Sequence, residues 1–527
     1  MTARIGRAAL VLAALGVCGC APLTDDVFAP LALISSSPLI VAEGSGVVEL
    51  PLRLAEPPKQ RVALAYRLVG IEAQNECQHP DFEAAEGRVE WPAGATEAHV
   101  RIWVPDDDLA ERDERFALEL EAIEAPGAAA SARVEVLIVD DDRSALLDAR
   151  ELGVVPGAGG DQSALLQTAL DHAAELGRAV LVMAPGDYEV SSVRLAPGTT
   201  LSARDVRWHR PPMSAADTVS LRVQHQGPSS SAPTLVEGLT LDGRREEQGP
   251  YREHEREAAH LIELMGDSEQ GGRLQATFEQ VRLVSGTGSG LYVGPDSELT
   301  VCGLTASELW RDALTLNGGA TVLRVRGLDA TATQGTGLWL GARMPGYQDS
   351  YAMDVDAENV QIGAGDVEIQ VTEASSVRLR RLIMTDPPFR LDAPGGSVRI
   401  ADSVLMLGRP SGRHNQWALA RDVEVSSTTI VASERTDRDV TDEAPRTFAA
   451  VSLVSHSIAQ GPASAGPGRL VFSGCRFELA RDVEPDDVVY AIENSGVDAA
   501  VAVTASELGA GFEAWFAPQC AGCALTP

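Results

Sequence analysis

Apolar and variable positions alternate in a short motif that recurs between Phe278 and Leu419. Three copies read Gly290-Leu291-Tyr292-Val293, Ala313-Leu314-Thr315-Leu316 and Gly337-Leu338-Trp339-Leu340, and their variable positions lie 23 and then 24 residues apart. The period of two within each copy predicts a strand with two apolar residues facing inward and one residue facing outward. Repetition at this length is typical of stacked solenoid coils. The pattern therefore predicts a parallel β-helix.

The same frame continues on both sides of these copies, with spacings of 22 or 28–29 residues. Neighbouring coils should lie about 4.8 Å apart, which would place Tyr292 and Trp339 roughly 10 Å apart. That separation is close to two sugar rings along a glycan, and aromatic faces stack on the apolar faces of sugars. Aligning the coils predicts one row of outward side chains: Glu263, Tyr292, Thr315, Trp339, Glu368, Arg390 and Ala418.

Side chains on and beside this row are candidates for binding a polysaccharide. Aromatic contacts would come from Tyr292 and Trp339, and polar contacts from Glu263. Arg343, in the loop that follows Trp339, would hold the carboxylate of an acidic sugar bidentately.

Glu368, Arg390 and Asp349 are the candidate catalytic residues. A lyase or an epimerase needs a base near the sugar C5, here Glu368, and a cation beside the uronate carboxylate, here Arg390. A hydrolase needs two carboxylates about 5–10 Å apart, which Glu368 would form with Asp349 from the loop, or less plausibly with Asp312. The alternative is that Glu368 and Arg390 form a surface salt bridge on adjacent coils.

Short alternating segments separated by turn residues run through residues 31–143 and predict an antiparallel sandwich of two sheets. Acidic residues gather where these strands end, at Asp106-Asp107-Asp108 with Glu111, at Asp140-Asp141-Asp142, and at Glu43 and Asp81. Carboxylates this close repel one another unless a cation lies among them, and clustered oxygen ligands suit Ca²⁺ better than Zn²⁺. The alternative is a pair of solvated acidic loops.

The sandwich region resembles the Calx-β family. Its ordered motifs are Pro80-Asp81-Phe82, Gly87-Arg88-Val89-Glu90-Trp91, Pro92-Ala93-Gly94, the acidic run from Asp106 to Phe116, and Asp140-Asp141-Asp142. The resemblance implies a calcium-binding sandwich in which the ion rigidifies the domain. The ligands carried over from the family are Glu43, Asp81, Asp106, Asp107, Glu111, Asp140, Asp141 and Asp142.

A helix is predicted over Gln162 to Leu176, with Asp161 as its N-cap and Leu165, Leu166, Ala169, Leu170, Ala173 and Leu176 on one face. Residues 148–201 resemble the N-terminal cap of the pectate-lyase-like superfamily, with Pro185-Gly186-Asp187-Tyr188 and Pro197-Gly198-Thr199-Thr200-Leu201 after the helix. The resemblance implies an all-β chain: a Calx-β-like sandwich, then a right-handed parallel β-helix over residues 144–527 with an N-terminal capping helix. It implies no particular reaction, and the polygalacturonase motifs are missing from the sequence.

The N-terminus carries the pattern of an export signal. Arg4 and Arg7 precede an apolar run from Ala8 to Val17 that is too short to span a bilayer, and Cys18-Gly19-Cys20 follows. The tetrad Val17-Cys18-Gly19-Cys20 resembles the lipobox of bacterial lipoproteins. The resemblance implies removal of residues 1–19, lipid attachment to Cys20, and a tether over residues 20–30. The expected location is the cell envelope, with the membrane reached only through the lipid. An ordinary secretory signal is the alternative.

Charge and cysteine content narrow the function further. A net charge of −33 argues against binding nucleic acid through bulk electrostatics. Five cysteines follow Cys20, so at least one is unpaired, and Cys520 and Cys523 are expected to close a small disulfide loop. The sequence therefore predicts an exported, lipid-anchored protein that binds Ca²⁺ and engages polysaccharide, either as a lyase or hydrolase or as a non-catalytic binding, adhesive or structural envelope protein.

Overall fold

The structure is a computed structural model. It describes residues 39–71, 80–83, 85–124, 131–212, 219–224, 232–248, 259–266, 273–317, 319–331, 333, 335–341, 352–363, 365–371, 375–385, 389–393, 396–407, 416–419, 422–433, 447–453, 468–480, 483, 488–494, 499–518, 520 and 523–526.

Seven strands form the N-terminal sandwich. Five of them make one sheet in the order β1-β7-β6-β3-β4, and β2 pairs with β5 in the other sheet. Alternate residues face the space between the sheets, where Trp91 is fully buried and the rings of Phe82 and Phe116 stack 4.6 Å apart. The strands are β1 Leu39–Ala42, β2 Gly46–Arg53, β3 Val62–Gly70, β4 Glu86–Trp91, β5 Glu97–Val104, β6 Glu114–Glu124 and β7 Ser131–Val139.

The rest of the described chain forms a β-helix of parallel strands, with a 20-stranded and a 12-stranded sheet. The strands of the larger sheet are β8 Ala145–Asp148, β9 Ala179–Val182, β10 Gly186–Glu189, β12 Thr200–His209, β14 Thr234–Asp242, β16 Leu274–Glu279, β17 Arg282–Val284, β19 Ser297–Ser307, β21 Thr321–Thr331, β23 Met353–Ile362, β25 Ser376–Met384, β27 Ser397–Ala401, β28 Val404–Leu407, β30 Asp422–Ser426, β31 Thr429–Ala432, β33 Gly468–Ser473, β34 Arg476–Leu479, β36 Ala499–Thr504, β37 Glu507–Leu508 and β39 Cys523–Thr526.

The smaller sheet carries the repeated motif found in the sequence. Its strands are β11 Val193–Leu195, β13 Leu221–Gln224, β15 Ile262–Met265, β18 Leu291–Val293, β20 Leu314–Asn317, β22 Thr336–Gly341, β24 Asp366–Gln370, β26 Phe389–Ala393, β29 Gln416–Leu419, β32 Thr447–Leu453, β35 Val488–Asn494 and β38 Ala514–Phe516. The predicted all-β fold, a sandwich followed by a parallel β-helix, is confirmed.

Helix α1, Ser163–Leu176, caps the first coils through contacts with β9 and β11. Leu166 and Leu170 are buried as predicted, but Leu165 and Leu176 are exposed, so the apolar face is narrower than predicted. The helix starts at Ser163, so its N-cap is Gln162 and not Asp161 as predicted. Asp161 lies one residue earlier, and its carboxylate accepts a hydrogen bond from the Ser163 backbone N–H at 2.9 Å. Two 3₁₀ helices, Ala149–Leu152 and Arg245–Gln248, complete the described helical segments.

Each coil turns a corner within the 20-stranded sheet at a residue in the left-handed region. A side chain in this region costs about 1–2 kcal/mol unless the residue is glycine. Gly238 has the further constraint that a Cβ there would lie 2.6 Å from the Arg204 Cα on the previous coil. The corner residues are Asp205, Gly238, Gln280, Gly303, Gly327, Asn359, Arg381, Asp402, Ser427, Gly474 and Ala505.

For the cysteines that the structure describes, the pairing agrees with the sequence prediction. Cys520 and Cys523 form a disulfide, and Cys475 is buried and free. Cys302 is also disulfide-bonded. Within the described ranges, no helix has both the length and the apolar character needed to cross a membrane.

Substituting two corner glycines tests the close packing of coils. Gly238→Ala should lower the free energy of unfolding by about 3 kcal/mol or more, because the new methyl group meets backbone atoms. Gly474→Ala is the matched control, since its corner has φ +61° but open space around the Cβ position. It should cost only about 1–2 kcal/mol. Equal losses in the thermal unfolding of the two variants would contradict the close approach at Gly238.

Candidate functional site

The acidic loops of the sandwich are packed against the first coils of the β-helix. Leu109 and Ala110 lie in the loop between β5 and β6 and are 1% and 5% exposed. The Ala110 carbonyl accepts a hydrogen bond from Thr200 Oγ1 at 2.5 Å, and the Asp108 carbonyl accepts one from Arg178 Nη2 at 2.7 Å. The acidic end of the sandwich is therefore an interdomain junction.

Three carboxylates at this junction lie close enough to share one cation. Asp81, Glu111 and Glu114 each place a carboxylate oxygen within 4.8 Å of the others. Asp81 directly precedes the fully buried Phe82, and Glu114 is the first residue of β6. Burial of Phe82 beside Asp81, and of Phe116 on β6, therefore anchors the two segments that carry these carboxylates.

Seven of the eight predicted calcium ligands lie in one electrostatic group, in which Asp142 interacts with Asp140 and Asp141. Glu43 interacts with Asp81, Asp107, Asp140 and Asp142, and Glu111 interacts with Asp81 and Asp107. Asp140 is fixed by the backbone N–H groups of Glu111 and Arg143, each at 3.0 Å.

Two of the eight predicted ligands, Asp106 and Asp141, differ from the others in their surroundings. The Asp106 carboxylate packs over Gly44, where a Cβ would lie 2.7 Å from Oδ1, and Gly44 has φ +68°. Asp141 is exposed. The assignment of all eight residues as calcium ligands stays a prediction.

Burial and mutual repulsion raise the pKa values of these carboxyl groups. Desolvation is the largest cause at Glu43, where the pKa rises to about 9, followed by the charges of Asp107 and Asp140. The pKa values of Glu111 and Glu114 are also well above the usual range, because of burial and then the charge of Asp81. Glu43 therefore holds its proton at neutral pH unless a cation replaces it. A set of many carboxylates and no nitrogen ligand fits Ca²⁺.

The β-helix adds two buried carboxylates to the junction, which the sequence did not reveal. Glu237 and Glu279 occupy paired positions on β14 and β16 and are 4% and 5% exposed. Arg204 on β12 forms ion pairs with Glu237 at 2.7 Å and with Glu114 of the sandwich. Burial first, and then the charges of Asp81 and Glu237, raise the pKa of Glu279 to about 8. Neither glutamate stands in an acidic run, so local sequence carries no signal for them.

A cleft of about 730 Å³ opens at the same junction. The sandwich contributes Gly70, Ile71 and Arg112, and the β-helix contributes Met183 and Arg204 among other residues. Among the described residues, none of the 12-stranded sheet lines the cleft, so the cleft is separate from the predicted sugar-binding row.

The outward row of the 12-stranded sheet follows the predicted register from Glu263 to Arg390. The pairs are Glu263–Tyr292, Tyr292–Thr315, Thr315–Trp339, Trp339–Glu368 and Glu368–Arg390. Ala418 was wrongly placed, because it pairs with Asp392, two residues beyond Arg390. Strand pairing also adds Arg222 and Arg194 to the N-terminal end of this row. The sequence analysis did not include these two residues.

Both glutamates of the row are paired with arginines. Glu368 Oε1 is 2.9 Å from Arg390 Nη1 and accepts a hydrogen bond from Gln370 Nε2 at 2.6 Å. Glu263 Oε2 is 2.5 Å from Arg222 Nε. The geometry matches the salt-bridge alternative for Glu368 and Arg390.

Trp339 is half-buried, and its six-membered ring lies against Gly341, where a Cβ would be 3.2 Å from Cε2. Glycine at this position leaves room for the indole to lie along the strand. The indole Nε1 is buried and has no hydrogen-bond partner among the described residues.

Tyr292 stands in a polar network. Its ring stacks on His260 with centroids 4.5 Å apart, and its hydroxyl accepts a hydrogen bond from Asn317 Nδ2 at 2.6 Å. His260 Nδ1 accepts from the Ser289 backbone N–H at 3.2 Å, which leaves the ring proton on Nε2. Burial, with the charge of Arg311 and other arginines, lowers the pKa of His260 to about 4, so the ring is neutral at pH 7.

Thr315 lies between the two aromatic positions but is buried, 1% exposed. Its hydroxyl is 2.8 Å from Asp312 Oδ2 and 3.2 Å from Ser289 Oγ. Burial is the largest influence on Asp312 and raises its pKa. His260, Ser289 and Asn317 were not predicted, because their roles depend on contacts between coils.

The comparison with known protein families gives a match for the sandwich. Residues 27–142 match the family model of the Calx-beta domain. The sandwich is a Calx-beta-type domain. The crystal structure of CBD12 from CALX1.2 is 26% identical over 20% of this chain and 44% of that chain, with a TM-score of 0.18. The chain thus spans less than half of that structure.

Solved β-helices resemble a larger part of the chain. The A-module of the Azotobacter vinelandii mannuronan C-5 epimerase AlgE4 is 14% identical over 72% of this chain and all of that chain, with a TM-score of 0.46. The Yersinia enterocolitica family 28 exopolygalacturonase is 10% identical over 94% of this chain and 98% of that chain, with a TM-score of 0.40. At these identities the likeness concerns the fold alone. Comparison with curated protein sequences gave no match.

Several predicted residues lie outside the described residues. These are Asp349 and Arg343, in the loop after Trp339, and Cys20 with residues 1–19 and the tether 20–30.

The raised pKa values predict how the metal-free protein responds to pH. Glu43 and Glu279 have native pKa values of about 9 and about 8, above the 4.5 of the unfolded chain. The native state therefore binds more protons between these limits, and its free energy of unfolding should fall as pH rises through this window. Urea unfolding in chelator at about pH 5, 7 and 9 measures the slope.

Glu43→Gln is the control for that slope, because it removes one of the shifted groups from the Calx-beta domain and keeps the side-chain shape. Its stability should fall less steeply with pH than that of the wild type. A wild-type protein that gains stability in chelator between pH 5 and 9 would contradict the buried arrangement of these carboxyls.

Proposed function

We propose that the β-helix binds an acidic polysaccharide along the outward row of its 12-stranded sheet, while calcium rigidifies the Calx-beta domain. The observation that carries the proposal is the register: strand pairing aligns Tyr292 and Trp339 on one face, two coils apart. Strand spacing puts them roughly 10 Å apart, which suits two residues of one glycan chain.

Both aromatic side chains are held in place before any ligand arrives. His260 and Asn317 fix the ring and hydroxyl of Tyr292, and Trp339 lies against Gly341. A preorganised surface loses little side-chain entropy on binding, so more of the stacking energy contributes to affinity.

The charge of the row favours an acidic ligand, although the whole chain is acidic. Arg194, Arg222 and Arg390 outnumber Glu263 and Glu368, which each pair with an arginine. Arg390 Nε and Nη2 are buried and have no hydrogen-bond partner within the described part of the chain. A sugar carboxylate that reached them would accept both hydrogen bonds bidentately.

Binding without catalysis is the better-supported reading of Glu368. A general base must be free to accept a proton, and Glu368 already accepts hydrogen bonds from Arg390 and Gln370.

A second candidate function is proton transfer at a uronate C5, with Tyr292 and His260 in place of Glu368. The observation in its favour is a neutral histidine stacked on a tyrosine whose hydroxyl accepts a hydrogen bond from Asn317. A tyrosine hydroxyl can exchange its proton with a ligand, and Arg222 lies on the same row, two coils before Tyr292. This function belongs to the lyase or epimerase class.

Calcium would be held by the carboxylates of the junction, including Asp81, Glu111 and Glu114. The ion would supply positive charge among buried acids and so stabilise the loops that carry them. Export and a lipid on Cys20 are part of the proposal, supported by the apolar run from Ala8 to Val17 and by Cys18-Gly19-Cys20.

Loss of an aromatic side chain tests polysaccharide binding. Trp339→Ala and Tyr292→Ala should each weaken binding to a polyuronate by about tenfold, since each removes one stacking surface. Trp103→Ala is the matched control, because Trp103 is 46% exposed but lies on β5 of the Calx-beta domain. Isothermal titration against polygalacturonate, alginate and a neutral glucan measures affinity and charge preference.

Unaltered affinity in the Trp339 and Tyr292 variants would contradict the proposed surface. The same uronates should be assayed for unsaturated products, new reducing ends and C5 inversion. Turnover that is lost in Tyr292→Phe would establish the second candidate, whereas binding without turnover would establish the first.

Calcium removal tests the role of the Calx-beta domain. At a free Ca²⁺ concentration about 100 times the Kd, the bound ion should add about 2.7 kcal/mol to the free energy of unfolding. Chelation should therefore lower the melting temperature of the wild type. The double variant Asp107→Asn with Glu111→Gln should show the same melting temperature with calcium and with chelator. A wild-type melt that chelation leaves unchanged would count against calcium binding.

A further inference from the structure

We infer that Asn317 and Trp339 form a polar subsite for one sugar hydroxyl, between the two aromatic positions of the outward row. The hydroxyl would donate a hydrogen bond to Asn317 Oδ1 and accept one from Trp339 Nε1. The inference rests on the proposed polysaccharide binding and adds a specificity to it. The surface would select glycans whose ring hydroxyls are free over glycans in which these hydroxyls are O-acetylated.

Strand register places Asn317 between the two aromatic side chains. Thr315 is paired with Tyr292 on the preceding coil and with Trp339 on the next, and Asn317 lies two residues after Thr315 on β20. Residues two apart on a strand face the same side. Thr315 and Asn317 are 1% and 5% exposed, whereas both aromatic side chains are half-buried. The two small side chains therefore form the floor between the two rings.

The Asn317 amide has a hydrogen-bond partner on one side only. Its Nδ2 donates a hydrogen bond to the Tyr292 hydroxyl at 2.6 Å, which fixes the amide against the preceding coil. Its Oδ1 is buried and has no hydrogen-bond partner among the described residues. A buried acceptor without a hydrogen bond destabilises the native state, so this oxygen requires a donor.

The indole N–H of Trp339 supplies the second half of the subsite. Its Nε1 is also buried without a hydrogen-bond partner within the described ranges. A Cβ at Gly341 would lie 3.4 Å from this nitrogen, and Gly341 is the residue that pairs with Asn317 on the next coil. The donor and the acceptor therefore occupy neighbouring places in the register, whose backbones lie about 4.8 Å apart.

Trp339 differs from the tryptophans of the two cores. Trp91, Trp208 and Trp417 also have a buried Nε1 without a partner in the part of the chain that the structure describes, but their rings are fully buried among apolar side chains. The Trp339 ring lies on the outward row and is half-buried. A sugar that stacks on this ring therefore comes close to the edge that carries Nε1.

A hydroxyl is the ligand group that matches this pair of atoms, because it both donates and accepts a hydrogen bond. A carboxylate would accept from Nε1 but has no proton for Oδ1, and an ammonium group would donate to Oδ1 but cannot accept. An O-acetyl group likewise lacks the donor. Because both protein atoms are buried, a ligand that leaves one of them unpaired loses affinity.

Glycans that differ only in O-acetylation test the subsite. Isothermal titration of the full chain measures affinity for polygalacturonate and for alginate, each with free and with O-acetylated ring hydroxyls. Trp339→Phe keeps a stacking ring and removes the N–H, and Asn317→Leu keeps the size of the side chain and removes the acceptor. Trp208→Phe is the matched control, because it removes a buried indole N–H from the core of the β-helix.

The wild type should bind the free form of a uronate about tenfold more tightly than the acetylated form. Trp339→Phe and Asn317→Leu should each lose about threefold to tenfold in affinity for the free form and less for the acetylated form. The ratio between the two affinities should therefore fall in both variants. Trp208→Phe should keep the wild-type ratio, and thermal melts verify that every variant is folded.

The remaining outcomes separate this inference from the proposed polysaccharide binding. Equal affinity of the wild type for both forms, or a loss by the same factor for both forms in Trp339→Phe and Asn317→Leu, would overturn the hydroxyl subsite. The two atoms would then be bridged by a structural water only, and loss of binding in Trp339→Ala would still support the polysaccharide surface. Absence of binding to either uronate in the wild type would overturn both.

Discussion

Hydrogen bonding between successive coils, in register along two parallel sheets, is the constraint on which the rest of the structure depends. Because each residue pairs with its counterpart one coil away, a side chain at one position is stacked on the same position of the next coil. Buried Leu, Val and Ile residues stack inside, and the outward positions form rows. Tyr292 and Trp339 share a face because they occupy the same place in this register.

The corners of the coils show how this register is maintained. The strands of the 20-stranded sheet bend at a left-handed residue that recurs on successive coils, which keeps the two halves of each strand in line with the next coil. Gly238 and Glu237 illustrate the consequence. The bend brings the Gly238 position against Arg204, and the residue before it, Glu237, forms an ion pair with that arginine. The same position on the following coil is Glu279, which meets the acidic end of the sandwich.

The two rows of the β-helix manage charge in different ways. On the 12-stranded sheet, Glu263 and Glu368 each pair with an arginine one coil away, so the row presents paired charges and aromatic surfaces. At the junction, arginines compensate Glu114 and Glu237, while Glu43 and Glu111 remain buried without such contacts in the described chain. Burial of like charges without enough arginines is the arrangement that a bound cation would stabilise.

The sequence by itself determined the two architectures and most of the outward row. Period-two alternation and a repeat of about two dozen residues are local patterns, and stacking turns them directly into rows of neighbours. The acidic motifs of the Calx-beta domain were readable for the same reason, since Asp106 to Glu114 is one continuous run. The register failed only at Ala418, where a two-residue shift places Asp392 opposite it.

Only the tertiary structure decided which carboxylates lie close together and which of them have their charge compensated by an arginine. Glu279 is far from the sandwich in sequence, and its neighbours Asp81 and Asp107 follow from how the domains pack. The pairing of Glu368 with Arg390 and Gln370, and of Tyr292 with His260 and Asn317, likewise depends on side-chain conformations between coils. Charge compensation acts over a few ångströms in space, and separation along the chain does not encode that distance.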